Sequence, residues 1–138
     1  MRKNDDVKLP EKAYLIEARS IVDERGKLCV IGDEELAFDV ARVFWISDVP
    51  AGKTRGGHAH RVCAEIIFPL KGEFKIYVHD ADGERVYAMN KAEQGIYIGP
   101  NVWCELSDFA PGTVCMVLAS HEYMVEGYIN DYNEFLKG

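Results

Sequence analysis

From about Tyr14 to Ser120 the sequence alternates short runs rich in Val, Ile, Phe, Tyr and Trp with Gly, Pro, Asp and Asn punctuation. Such runs fall at residues 27–31, 42–47, 64–70, 73–79, 85–89, 95–98, 102–106 and 113–119. Side chains of these types fit a pleated, half-buried surface, so each run predicts a strand. Phe74, Ile76 and Val78 alternate with Lys75, Tyr77 and His79, the pattern of a strand with one core face. Asp80-Ala81-Asp82-Gly83 predicts a hairpin turn, because glycine accepts the positive φ such turns need, and Lys71-Gly72 predicts a second. Short strands at this spacing build a sandwich or barrel, not a doubly wound α/β sheet, and the fold class expected is all-β. Only the C-terminal stretch differs: Met124, Tyr128, Ile129, Tyr132 and Leu136 stand at helical spacing, predicting one amphipathic helix near 125–136. With no repeat, linker or low-complexity segment, residues 1–138 read as a single domain with a barrel over about 14–120.

Composition bounds the function. The chain has 138 residues, and a domain of that size buries about two thirds of its unfolded surface without disulfide or metal staples. Sixteen basic against 23 acidic residues give a net charge of −7, with no Lys/Arg tract. That argues against nucleic acid or an anionic membrane as partner, though not against a small anion held by two or three arginines. Cys29, Cys63, Cys104 and Cys115 form no CxxC, so neither a zinc ribbon nor a redox pair is expected. Residues 1–11 are polar and mixed in charge, and the longest apolar stretches, 66–70 and 114–119, fall far short of the ~20 residues that span a bilayer. Reduced thiols in a cytoplasmic protein are the expectation.

The densest signal is GKTRGGHAHRVCAEIIFPLKG at residues 52–72, with the spacing Gly52-x5-His58-x-His60-x4-Glu65-x6-Gly72. Two histidines one residue apart on a strand share a face, their Cα atoms roughly 6.6–7 Å apart. Glu65 returns a carboxylate to that face if a turn or bulge intervenes. Inside a small barrel such a face is a pocket for a substrate or a metal. His58, His60, Glu65 and Cys104 together have the donor types of a mixed zinc site.

This spacing resembles the first motif of the cupin superfamily, which implies a double-stranded β-helix, or jelly-roll barrel, here with a short C-terminal helix. In the stretch corresponding to the second motif, residues 95–105, the glycine and proline are kept as Gly95 and Pro100, but the histidine that would complete a metal site is missing. A narrower resemblance spans nearly the whole chain. Arg-Gly-Gly-His-Ala-His at 55–60, Tyr-Ile-Gly-Pro at 97–100, Trp-Cys-Glu at 103–105, Val-Leu-Ala-Ser at 117–120 and Tyr-Ile-x-x-Tyr at 128–132 resemble the sugar-nucleotide 3,4-ketoisomerases, WxcM-like cupins. Asp-Glu-Arg-Gly at 23–26 and Arg-Val-x-x-Ile at 42–46 fit the same family.

The resemblance implies an isomerase acting on TDP-4-oxo-6-deoxyglucose or a relative in deoxysugar and surface-polysaccharide synthesis. It implies a homodimer, no cofactor and no metal. A ketone at sugar C4 acidifies the C3 proton, and a base of near-neutral pKa that removes it makes an enediolate. His58 takes the base's position, with His60 orienting the substrate or shuttling a proton between oxygens. Arg42 and Arg55 are candidates for substrate oxygens or the diphosphate, Tyr97 and Trp103 for a stacking face, and Glu65 for a partner fixing a histidine tautomer. Four positions depart from the family: Cys104 where His or Arg is usual, Glu24 where Arg or Tyr is usual, and Phe44-Trp45 in place of a tyrosine pair. Cys104 and Glu24 therefore stand as candidate specificity residues, and the product's C4 configuration is left open. Competing expectations are a related nucleotide-sugar epimerase, a metal-dependent cupin enzyme and a non-catalytic sugar-nucleotide-binding cupin.

Overall fold

In a computed structural model, residue 4 and residues 8–138 are described. The strands run β1 (Ala13–Glu17), β2 (Arg19–Asp23), β3 (Gly26–Val30), β4 (Arg42–Ser47), β5 (Arg55–His60), β6 (Glu65–Lys71), β7 (Phe74–Asp80), β8 (Gly83–Met89), β9 (Gln94–Ile98), β10 (Trp103–Ser107), β11 (Val114–Ala119) and β12 (Tyr128–Ile129). They form two five-stranded antiparallel sheets, β1-β9-β6-β11-β4 and β12-β5-β10-β7-β8, plus the separate β2–β3 hairpin. This is the jelly-roll architecture expected of an all-β chain.

Alternation fills the space between the sheets. Ile67, Ile96, Ile98, Cys115 and Val117 of the first sheet meet Phe74, Ile76, Val78, Cys104 and Leu106 of the second in one core cluster. The intervening residues of the first sheet, Ile66, Phe68, Tyr97 and Leu118, are also buried, under Leu9 and Phe38. β6 and β9 are thus apolar on both faces, which explains their unbroken apolar runs. Between β6 and β7 the chain reverses at Gly72, where φ is +80° and a Cβ would come within 2.8 Å of Thr113 Cα, so no larger residue fits without a shift.

The predicted helix over 125–136 is a correction. Val125–Gly127 is a single 3-10 turn, β12 follows, and only α1 (Tyr132–Lys137) is α-helical. The backbone of Tyr128 and Ile129 pairs instead with the free edge of β5, opposite His60 and Ala59. Asp131 then starts the helix afresh, its side chain accepting from Asn133 N at 2.8 Å. Tyr132 and Phe135 of α1 cover Ala59, Trp103 and Ile129 on the outer face of the second sheet. Among the described residues, no helix is long and apolar enough to cross a membrane.

A buried ion pair clasps the two sheets together at one edge. Asp80, at the end of β7, accepts from Ala13 N of β1 at 2.9 Å, while Arg85 Nη2 and Nη1 donate to its two oxygens at 2.8 and 2.9 Å. Arg85 Nη2 also reaches the Ala13 carbonyl at 3.1 Å, so both backbone groups of one β1 residue are held by the second sheet. The Arg85 guanidinium holds the Asp80 carboxyl well below the usual carboxylate range against the opposing effect of burial. Asp80→Ala leaves Ala13 N without its acceptor and Arg85 without its carboxylate, and is expected to cost about 2–3 kcal/mol in urea-induced unfolding.

Candidate active site

The site begins with two histidines on the inward face of β5. Their neighbour Ala59 packs outward under α1, which fixes His58 and His60 toward the interior. Gly56 and Gly57, at φ of +81° and +75°, bend the strand's start; a Cβ on Gly56 would sit 3.1 Å from the Cys104 carbonyl. Cys104 lies opposite His58 in the β5–β10 ladder, with a bulge between it and Glu105. After β5 the chain crosses to the first sheet, and Glu65, the first residue of β6, shares the inward side with Ile67. Glu65 and His60 are each 5% exposed, with Oε2 3.5 Å from His60 Nε2, and that buried nitrogen makes no hydrogen bond.

His58, Glu65 and Cys104 line a cavity of about 390 Å³ between the sheets. β4 contributes Arg42, Phe44 and Ile46 to its wall, with the half-exposed Val43 at its border, while Trp45 is exposed to solvent. The Arg42 guanidinium lies 5.0 Å from the Phe44 ring centroid and 5.9 Å from that of Tyr123, and its buried Nε has no partner. Tyr128 closes the wall beside the histidines: its ring centroid is 4.9 Å from His58 and 4.4 Å from His60, and the two imidazoles lie edge to face 4.8 Å apart. Burial pushes the Tyr128 phenol up, and the Arg42 guanidinium beside it opposes that rise.

Burial controls the electrostatics. It pushes the His58 imidazole down to about 4, helped by the His60 and Arg55 charges and opposed by the Glu65 carboxylate. A neutral imidazole at physiological pH is competent to accept a proton, but burial makes it a weaker base than the near-neutral one expected from the sequence. Burial likewise pushes the Cys104 thiol far up, so it contributes an apolar wall and no thiolate.

The sequence candidates separate by strand parity. His58, Glu65, Arg42, Arg55 and Cys104 line the cavity, with His60 packed beside them. Tyr97 and Trp103, expected as stacking faces, do not line this cavity; Trp103 borders a separate pocket with Tyr77 and Tyr132 on the outer side of the second sheet. Tyr97 lies one residue out of phase with the inward Ile96 and Ile98; it is fully buried on the outer side, stacked on Tyr14 at 4.7 Å, with its hydroxyl donating to the Pro10 carbonyl. Trp103 is out of phase with Cys104 and Leu106 and packs under Tyr132 and Phe135. Glu24 is exposed at the tip of the β2–β3 hairpin and lines no part of the cavity. Tyr128 and Tyr123 are lining residues that sequence reasoning missed, Tyr128 because it fell within the spacing read as a helix.

The arrangement suits proton transfer at a carbon beside a carbonyl: a neutral buried imidazole for the base, a second imidazole, and guanidinium and phenol groups for developing oxyanion charge. His58, His60 and Glu65 also place one donor atom each within 4.8 Å of one another. That N/N/O set offers three positions to a divalent cation, and Cys104 is not among the donor atoms grouped with it.

Known proteins share both the sequence and the shape. A family model described as FdtA, WxcM-like, C-terminal matches residues 11–138. A TDP-4-oxo-6-deoxy-α-D-glucose-3,4-oxoisomerase from Aneurinibacillus thermoaerophilus is 33% identical over 124 residues, 89% of each chain. A histidine-to-asparagine variant of the QdtA 3,4-ketoisomerase from Thermoanaerobacterium thermosaccharolyticum, solved with TDP-4-keto-6-deoxyglucose, superposes with a TM-score of 0.86 at 36% identity, covering 91% of each chain. The WlaRB TDP-quinovose 3,4-ketoisomerase from Campylobacter jejuni gives a TM-score of 0.87 at 32% identity, covering 94% of this chain and all of that one.

In a titration followed by NMR of the histidine ring protons, His58 is expected to have its midpoint near 4, where an exposed histidine titrates at about 6.5. Glu65→Gln removes the opposing carboxylate and is expected to move that midpoint lower still. An unshifted midpoint would mean that the imidazole is hydrated and that burial does not govern its charge.

Proposed function

The chain belongs to the FdtA family of WxcM-like C-terminal sequences, and on that premise we propose that it is a TDP-sugar 3,4-ketoisomerase. Its reaction moves the carbonyl of a TDP-linked 4-oxo-6-deoxyhexose from C4 to C3 within deoxysugar synthesis. The observation that carries this reading is the His58–His60 pair, with His58, Glu65 and Arg42 lining one cavity and His60 buried directly beside them. His58 removes the C3 proton. The enediolate that forms brings negative charge against an imidazole whose basicity burial had lowered, so His58 becomes a stronger base as the reaction advances. His60 passes a proton between O3 and O4, with Glu65 beside its Nε2 to hold the ring in place. The unpartnered Arg42 Nε offers a donor to a sugar oxygen, and Arg55, exposed at the rim, is suited to the diphosphate. No step calls for a metal or a redox cofactor. With four free cysteines, a reduced, cytoplasmic setting fits the chain.

A second copy of the chain is part of this proposal. The β2–β3 hairpin pairs with no other described strand and exposes Ile21, Val22 and Leu28. β4 is a sheet edge among the described residues and exposes Val43 and Trp45, the latter 66% accessible. An apolar ribbon and an apolar edge on one chain are complementary between two copies, and exposed edges of this kind invite pairing. Glu24, at the hairpin tip, approaches a substrate only if the hairpin reaches the partner's cavity.

The deciding experiment is proton NMR with TDP-4-oxo-6-deoxyglucose in D2O. Loss of the C3 proton signal and appearance of a 3-oxo sugar are expected, and EDTA is expected to leave the rate unchanged. His58→Asn is expected to slow both exchange and product formation by roughly 1,000-fold with folding intact. Absence of exchange in folded protein overturns the assignment, and exchange at C5 as well as C3 would point to an epimerase. Light scattering is expected to give twice the chain mass of 15.6 kDa, falling to one chain mass in Trp45→Glu.

A further inference from the structure

The base accounts for only half of a ketoisomerisation. Removing the C3 proton leaves an enediolate, and a second proton must reach C4 from a group beside the base. Few cavity groups are suited to that donation. The Cys104 thiol is wholly buried opposite His58, with its proton bound far too tightly by burial. Phe44 carries no hydroxyl, and Tyr123 lies at the mouth, 60% exposed. Tyr128 differs from all of these. β12 sets it opposite His60, its ring lies edge-on to His58 and tilted against His60, and it lines the same cavity as Arg42.

We infer that Tyr128 is a further catalytic residue of this site, its phenol delivering the proton that becomes the C4 hydrogen. The inference rests on the ketoisomerase reading. His58 breaks the C3–H bond and takes its proton, and the electron pair enters the C3–C4 double bond. His60 moves the O3 proton to O4. As the C3 oxyanion collapses to the new carbonyl, the double-bond pair takes the phenolic proton at C4. The resulting phenolate, beside the Arg42 guanidinium, recovers a proton from solvent, and the His58 imidazolium releases its own to solvent. One C–H bond breaks, one forms, and nothing is oxidised or reduced overall. Burial keeps the resting phenol protonated, as a donor must be, while Arg42 tempers that effect.

The test separates the two halves of the reaction. Tyr128→Phe deletes one oxygen and keeps the ring between the histidines. It is expected to lower the rate of 3-oxo product formation about 100- to 1,000-fold, while C3 hydrogen exchange in D2O stays within a few-fold of wild type. In the unaltered enzyme, substrate deuterated at C3 and turned over in H2O is expected to give product with a solvent proton at C4. Normal product formation by the variant, equal loss of exchange and product, or deuterium carried from C3 to C4 would each overturn the role of Tyr128. If only Tyr128→Phe behaves unexpectedly, the ketoisomerase assignment stands and this inference falls. If the unaltered enzyme neither exchanges C3 nor makes a 3-oxo sugar, both fall.

Discussion

Successive side chains of a β-strand point to opposite sides, and this alternation decides nearly everything in the molecule. The first sheet has apolar residues on both its faces, so one set meets the second sheet and the other is roofed by Leu9, Phe38 and their neighbours. The second sheet divides its residues differently. Ala59 and Trp103 go out to α1, while His58, His60 and Cys104 go in. A histidine pair with a single intervening residue is thereby committed to one environment, and a one-residue slip would put Ala59 in the cavity and both imidazoles under the helix.

The same rule explains what the sequence revealed and what it hid. β4, β7 and β11 were legible because their Val, Ile, Phe and Trp content is dense and their punctuation sharp. β2 is short and wholly exposed, and β5 is built on Arg55-Gly56-Gly57, so neither carries an apolar signature. The histidine pair was readable in spite of this, from glycine and histidine spacing alone. At Tyr97 and Trp103, aromatic character reports burial without reporting which side is buried. Tyr128 was hidden because residues 124, 128, 129, 132 and 136 mimic helical spacing, when a turn, a two-residue strand and a six-residue helix divide that stretch between them.

The cavity leaves needs unmet that the rest of the protein satisfies. Arg42 Nε and His60 Nε2 are buried without hydrogen bonds, a costly state, and among the described residues the other buried side-chain nitrogens and oxygens are engaged. Asp80 makes the contrast, with both oxygens occupied by Arg85 and backbone amides. One edge of the sandwich, where β1, β7 and β8 meet, is closed by that ion pair. At the same strand level on the opposite edge, where β4, β5 and β12 meet, Arg42 Nε and His60 Nε2 stand unpartnered beside the cavity.

The short attachment of β12 has a consequence for local opening. β12 joins the barrel through two residue pairs with β5, yet it supplies the tyrosine beside the histidines. Opening those two pairs would withdraw the phenol while the Asp80–Arg85 clasp and the imidazole pair stay in place, so the site can lose this one group by a fluctuation far smaller than unfolding of either sheet.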